Sequence, residues 1–85
     1  MYKVAITMKA EKQLSKLPSL YQRSIARKLL HLNFPFPKNL DVKTMTNIPQ
    51  FYRLRVGQVR VIFQIKKSIK EIWIRKIKYR GGAYK

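Results

Sequence analysis

In the second half of the chain, apolar and positively charged residues alternate, and this alternation constrains the fold more than any other feature. Residues 52–65, YRLRVGQVRVIFQI, carry an apolar side chain at every second position on each side of a short interruption. A period of two is typical of a strand buried on one face. Gly57 and Gln58 form the interruption, and glycine at the first central position suits a two-residue type II′ turn. We therefore predict a β-hairpin with strands Tyr52–Val56 and Val59–Ile65.

This turn fixes which residues lie opposite each other, because opposed residues share a face of the sheet. The predicted apolar face holds Tyr52, Leu54, Val56, Val59, Val61 and Phe63, and the other face holds Arg53, Arg55, Arg60, Ile62 and Gln64. Arg55 then lies directly opposite Arg60, which destabilises a sheet by an amount comparable to the roughly 0.2–1 kcal/mol of a favourable pair. A solvated surface is one interpretation. We favour a phosphate-binding face, because guanidinium groups bind phosphate bidentately.

The overall charge points the same way. Twenty lysines and arginines face three acids, Glu11, Asp41 and Glu71, which gives a formal net charge of +17. Such an excess stores self-repulsion that a polyanionic partner relieves. A hydrophobic content of 46% is too high for a disordered basic tail.

The composition argues against a metal-binding protein and against a membrane protein. The chain has no cysteine, and its single His31 and scattered acids predict no metal site and no cofactor; His31 is expected to be a surface or packing residue. No apolar run approaches the roughly 20 residues of a membrane span. The first residues lack the signal-peptide core of about 7–15 apolar residues. We expect one soluble, cytoplasmic domain covering residues 1–85.

The first half of the chain predicts one strand and two helices. Residues 2–7 alternate as a half-buried strand does. A helix should follow from Met8 and be closed by Pro18, and Ser19 is then a plausible N-cap for a second helix. The larger apolar residues of this second helix, Tyr21, Ile25, Leu29 and Leu32, fall on one helical face. Residues 33–50 contain three prolines and predict an extended connection.

A last strand is predicted over Glu71–Ile77, with Trp73 expected in the core. The order β-α-α-β-β-β indicates an α+β domain: an N-terminal strand, a two-helix hairpin and a three-stranded antiparallel meander, with the helices on one face of the sheet. The register of the last strand stays open, because a slip of one residue would move Trp73 and Arg75 to the opposite face.

The tail after the last strand, YRGGAYK, adds Arg80 and Tyr84 to Arg75 and Lys78. If the last strand pairs beside the hairpin, its end approaches the basic face, and the Gly81-Gly82 turn could fold Tyr84 over it. A frayed basic terminus is the alternative.

Three runs of the sequence, IPQFYRLRVGQVRVIFQI, EIWIRKI and YRGGAY, resemble the RelE/ParE superfamily of toxin–antitoxin toxins. The similarity covers nearly the whole chain and implies the RelE-like microbial RNase fold. The hairpin motif is typical of the superfamily but does not separate its branches. In the RelE branch, the toxin is a ribosome-dependent endoribonuclease that cleaves mRNA in the A site. The 2′-hydroxyl attacks the adjacent phosphate without a metal or cofactor.

The resemblance also implies roles for individual residues. Arg60, Arg80 and Tyr84 are the expected catalytic residues, and Arg53, Arg55, Arg75 and Lys78 are expected to bind RNA. Arg60 and Arg80 would stabilise the charge that develops on the phosphate. Tyr84 could accept the 2′-hydroxyl proton if neighbouring cations favour its anionic form. One departure is Tyr79, which stands where many relatives have a histidine, so a histidine-based proton transfer is not expected.

Two other functions remain open at this stage. ParE-like relatives poison DNA gyrase, although the joint presence of Arg60, Arg80 and Tyr84 favours the ribonuclease. A non-catalytic RNA-binding module could stack bases on Tyr79, Tyr84 or Trp73. The expected partners are a cognate antitoxin with an acidic wrapping segment, and the ribosome with its mRNA.

Overall fold

A single β-sheet with two helices on one face makes up the described part of the chain, residues 1–79 of a computed structural model. Its elements are β1 (Lys3–Ile6), α1 (Met8–Ser15), α2 (Ser19–Leu30), β2 (Asp41–Thr44), β3 (Phe51–Val56), β4 (Val59–Lys66) and β5 (Glu71–Tyr79). The five strands lie in the order β1-β5-β4-β3-β2. β1 runs parallel to β5, and the other neighbours are antiparallel. The predicted α+β fold class is confirmed. Neither helix is long and apolar enough to cross a membrane.

The hairpin formed by β3 and β4 has the predicted register at every pair from Val56–Val59 to Tyr52–Phe63. Gly57 has a φ of 59°, a conformation that the turn requires and that glycine adopts without steric cost. The predicted apolar face lies under the helices. Leu54, Val59, Val61 and Phe63 are fully buried there.

The two helices join through a proline, and here the predicted cap is wrong. Pro18 is the N-cap of α2, whereas Ser19 is its first helical residue. The pyrrolidine ring holds the φ of Pro18 at −55°, and its carbonyl accepts the first helical hydrogen bond from Gln22. The Gln22 side chain donates to the carbonyl of Ser15, the last residue of α1, and to the carbonyl of Leu17 in the connection that follows.

The connection of residues 33–50 differs from the prediction, because it contains the additional strand β2. This strand pairs with β3 at the sheet edge, so the meander has four strands rather than three. Only Val42 of β2 is even half-buried, and an edge strand with so little burial gives a weak apolar pattern. Before it, Phe36 packs edge-to-face on Tyr52 and Phe63 and closes one end of the core.

The register of the last strand, β5, was left open by the sequence, and the structure shows that it contains a bulge. Phe63 lies opposite Ile74, and Ile62 lies opposite Lys76, so Arg75 is the extra residue between them. This bulge explains why the buried isoleucines change spacing at Ile74 and Ile77. The expectation that Trp73 belongs to the core is wrong. It is half-buried and points away from the helices, because its neighbours on β5 fill the helix side.

Candidate nucleic-acid interface

Four neighbouring strands bring charged residues into one row across the sheet face that points away from the helices. Asp41 lies opposite Arg55, Arg55 opposite Arg60, and Arg60 opposite Lys78. Opposed side chains in a sheet have Cβ atoms roughly 4.5–5.5 Å apart. The predicted juxtaposition of Arg55 and Arg60 is confirmed, and Lys78 extends it onto β5.

A second row lies two residues along the strands, on the same side of the sheet. It contains Lys43, Arg53, Ile62 and Lys76, each opposite the next. We call these two rows together the basic face: Asp41, Lys43, Arg53, Arg55, Arg60, Ile62, Lys76 and Lys78. In this area a single carboxylate is set among six cationic side chains.

The basic face has a shallow depression of about 130 Å³. Its lining residues are Asp41, Lys43, Arg53, Arg55 and Arg60. A second, wider depression continues around the hairpin turn and shares Arg55 and Arg60 with the first. Arg55 Nε donates a long hydrogen bond of 3.4 Å to the Gly57 carbonyl, which keeps this guanidinium close to the turn. The two arginines thus border a concave surface that can receive an anionic group.

A helix anchors the part of β5 that carries Lys78. β1 pairs with β5 only as far as Ile74, so the backbone beyond it needs another partner. Gln13 of α1 supplies one, because its Oε1 accepts a 2.7 Å hydrogen bond from the Ile77 amide. This contact holds the strand end, and therefore Lys78, beside Arg60.

Tyr79, the residue next to Lys78, belongs to the opposite side of the sheet. Its ring packs edge-to-face on Tyr21, with the ring centroids 5.4 Å apart. Desolvation raises the pKa of Tyr79 above 10.0, and the charge and hydrogen bonding of Tyr21 raise it further. Tyr79 is therefore neutral at physiological pH, and its ring is occupied by packing against α2.

The predicted site residues have different outcomes in the structure. Arg53, Arg55, Arg60 and Lys78 come together on the basic face. Arg75 is exposed at the bulge and has no cross-strand partner within the described sheet. Arg80 and Tyr84 lie outside the described residues. His31 is exposed at the end of α2, as expected.

The sequence analysis missed three residues of the basic face, Asp41, Lys43 and Lys76. The first two lie on β2, the strand that the proline-rich connection concealed. Their signal was the short alternation Asp41-Val42-Lys43, in which charged residues flank a valine. Lys76 reaches this face because of the bulge in β5.

Comparisons with known proteins give a consistent result. No family model matches the chain. A curated relative, the candidate toxin RelE1 of Methanocaldococcus jannaschii, is 40% identical over 52 residues, which is 60% of this chain and 58% of the relative. The fold matches a chain of the archaeal RelE–RelB complex from Pyrococcus horikoshii with a TM-score of 0.80. That match has 32% identity and covers 96% of this chain and 98% of the other.

A more distant match is to the isolated RelE toxin of Escherichia coli. Its TM-score is 0.78 at 16% identity, and the match covers 98% of this chain and 88% of that toxin. At this level of identity the similarity concerns the fold alone.

Proposed function

Because this chain belongs to the RelE-like toxin superfamily, we propose that it is the toxin of a type II toxin–antitoxin pair and cleaves mRNA in the ribosomal A site. One observation carries the proposal. Arg55, Arg60 and Lys78 lie side by side on three strands, on a sheet face that no stability argument requires to be cationic. A polyanionic substrate explains why the three charges are kept together.

The proposed reaction needs no group that the chain lacks. The 2′-oxygen of one nucleotide attacks the adjacent phosphorus, and the bond from phosphorus to the 5′-oxygen breaks. The products are a 2′,3′-cyclic phosphate and a 5′-hydroxyl. The intermediate phosphate carries extra negative charge, and preorganised cations stabilise it. Arg60 is proposed for this role because it lies between Arg55 and Lys78.

Two proton transfers accompany the reaction. A proton leaves the 2′-hydroxyl, and another, supplied by solvent water, reaches the departing 5′-oxygen. Guanidinium groups stay protonated and are poor proton acceptors. Following the resemblance to the RelE branch, we assign the acceptor role to the anionic form of Tyr84, favoured by neighbouring cations, and a second charge-stabilising role to Arg80. Both lie outside residues 1–79, so they are supported by the sequence motif alone.

The remaining cations of the basic face would position the RNA strand. Arg53 lies one row from Arg55 and could contact the neighbouring phosphate. Arg75, exposed at the bulge, would contact RNA at the border of this face. Because these contacts release counterions, binding should weaken steeply as the salt concentration rises.

A proposed antitoxin partner follows from the family and from the charge. One of the matched structures is a RelE–RelB complex. With a net charge of +17, this chain should favour a partner whose wrapping segment places Asp and Glu over the basic face. Replacing those acids by neutral residues should weaken the complex and flatten its salt dependence. An unchanged affinity would contradict this part of the proposal.

The test is controlled expression of the chain in cells, with separate measurements for mRNA and DNA. Rapid arrest of translation with mRNA cut at codon boundaries is expected. Arg60→Ala, Arg80→Ala and Tyr84→Phe should each reduce the cutting sharply, with folding checked by circular dichroism. Double-strand DNA breaks with intact mRNA would instead indicate a gyrase poison. If translation and DNA are both unaffected, the result would support a binding module or an inactive relative of the toxins.

A further inference from the structure

A third row of side chains on the open face lies beside the basic face and has a different chemistry. Phe51 lies opposite Gln64, and Gln64 lies opposite Trp73. All three point away from the helices, because the residues on either side of Gln64 and Trp73 are fully buried under them. Two aromatic rings therefore flank an amide on the surface that carries the arginines.

The indole of Trp73 is held in place by a hydrogen bond and is only half-buried. Its Nε1 donates a 2.8 Å hydrogen bond to Glu71 Oε1, which fixes the ring in its plane. The Lys66 ammonium lies 5.1 Å from the ring centroid. This cation lies over the π-face, and a flat ligand that stacks on the indole would displace the flexible lysine side chain.

Gln64 lies between the two rings and provides an independent observation. Its Oε1 is buried and has no hydrogen-bond partner among the described residues. Buried polar atoms are nearly always paired, so an unpaired one needs an explanation. The edges of nucleobases carry N–H donors, and a turn of this side chain toward a bound base would satisfy the oxygen.

We propose that Phe51, Gln64 and Trp73 form a nucleobase-binding subsite for single-stranded RNA, next to the phosphate-binding basic face. The proposal rests on the function proposed above and adds recognition of bases to it. Gln64 is four residues from Arg60 on β4, which is about 13 Å at roughly 3.3 Å per residue. A short stretch of single-stranded RNA spans this distance. The subsite therefore takes a base near the reacting phosphate, and stacking on aromatic rings suits any base.

The chain has one tryptophan, so its fluorescence reports directly on this subsite. The protein is titrated with a short single-stranded oligodeoxynucleotide, which lacks the 2′-hydroxyl and cannot be cleaved by the proposed reaction. A matched oligomer of abasic sites carries the same phosphates without bases. The oligonucleotide with bases should quench the emission of Trp73, and the abasic oligomer should bind without quenching it. Equal responses to the two oligomers would overturn the proposal.

Two variants test the same subsite by affinity, measured as fluorescence anisotropy of labelled oligomers. Trp73→Leu and Phe51→Leu should each weaken binding of the oligonucleotide with bases by roughly 5- to 100-fold. The affinity of both variants for the abasic oligomer should change less than about twofold, because each variant loses only the stacking on bases. Leu20→Ala removes an exposed apolar side chain from α2 and is the matched control. Parallel losses for both oligomers would contradict the subsite.

Cleavage assays separate this inference from the proposed function. If the wild-type protein cuts mRNA but the variants bind both oligomers with the affinity of the wild type, the proposed subsite is wrong and the proposed ribonuclease activity stands. If Trp73 is quenched by bases but mRNA stays intact, the subsite stands and the ribonuclease is wrong.

Discussion

The two faces of the sheet are built from the same strands but follow different rules. On the helix side, Leu54, Val61, Phe63 and Ile74 have no exposed surface. On the other side, the alternate residues of these strands form the basic face, with Arg55 directly opposite Arg60. Burial of apolar area explains the first face completely. The second face stores electrostatic repulsion, which a bound polyanion would relieve under the function proposed above.

The largest expected effect is on the buried face. Phe63→Ala should lower the free energy of unfolding by about 3–5 kcal/mol, since it leaves a cavity where Phe63 packs on Tyr52 and Phe36. Its neighbour Gln64 points to the other face, and its buried side-chain oxygen has no hydrogen-bond partner among the described residues, so Gln64→Ala should lower the free energy of unfolding by no more than about 0.5 kcal/mol. Urea denaturation measures both. If Phe63→Ala does not fold, Ile65→Val should still cost about 0.5–1.5 kcal/mol. Similar losses at residues 63 and 64 would contradict the contrast between the faces.

The second prediction concerns the basic face, where a substitution should affect cleavage rather than stability. Arg60→Ala should reduce mRNA cutting by about 10²–10³-fold, as loss of one charge-stabilising group does in other enzymes. The matched control is Arg23→Ala, which removes the same charge from the exposed side of α2. Cleavage rates in a ribosome-containing extract compare the two variants. If both lose activity equally, net charge matters and the position on the sheet does not.

The third prediction concerns the repulsion stored in the basic face. Lys78 lies opposite Arg60, so Lys78→Gln should raise the free energy of unfolding by about 0.2–1 kcal/mol. The same change should reduce the slope of log affinity for RNA against log salt by about 1. Lys9→Gln on α1 is the control for charge alone. A loss of stability in Lys78→Gln would show that Lys78 supports the fold and would contradict this account of the face.

The sequence predicted the parts of the fold that local rules determine. A two-residue turn leaves one possible register, so the position of Gly57 was enough to place Arg55 opposite Arg60. The strict alternation on both sides of the turn then assigned each side chain to a face. The basic centre of the candidate site follows from these two facts.

Other parts depend on tertiary contacts that a local pattern does not contain. The edge strand β2 is held by pairing with β3 rather than by burial, so its sequence gave little signal. Trp73 appeared to be a core residue because large aromatics are usually buried. The spacing of three between Ile74 and Ile77 was the available sign of the bulge, and it also explains how Lys76 reaches the open face.

The smallest expected effect concerns the pH dependence of stability and arises from Tyr79. This residue is adjacent to Lys78 in the chain but belongs to the opposite face of the sheet. Desolvation and Tyr21 raise the pKa of Tyr79, so the folded state retains this phenolic proton at a pH where the unfolded chain releases it. The unfolded state then binds fewer protons, and stability must fall as the pH rises above 10.0. Tyr79→Phe lacks this titration. The stability of the wild type relative to Tyr79→Phe, measured by urea denaturation, should therefore decrease from about neutral pH to strongly alkaline pH. A constant difference would mean that the Tyr79 hydroxyl is as well solvated as the side chains of the open face.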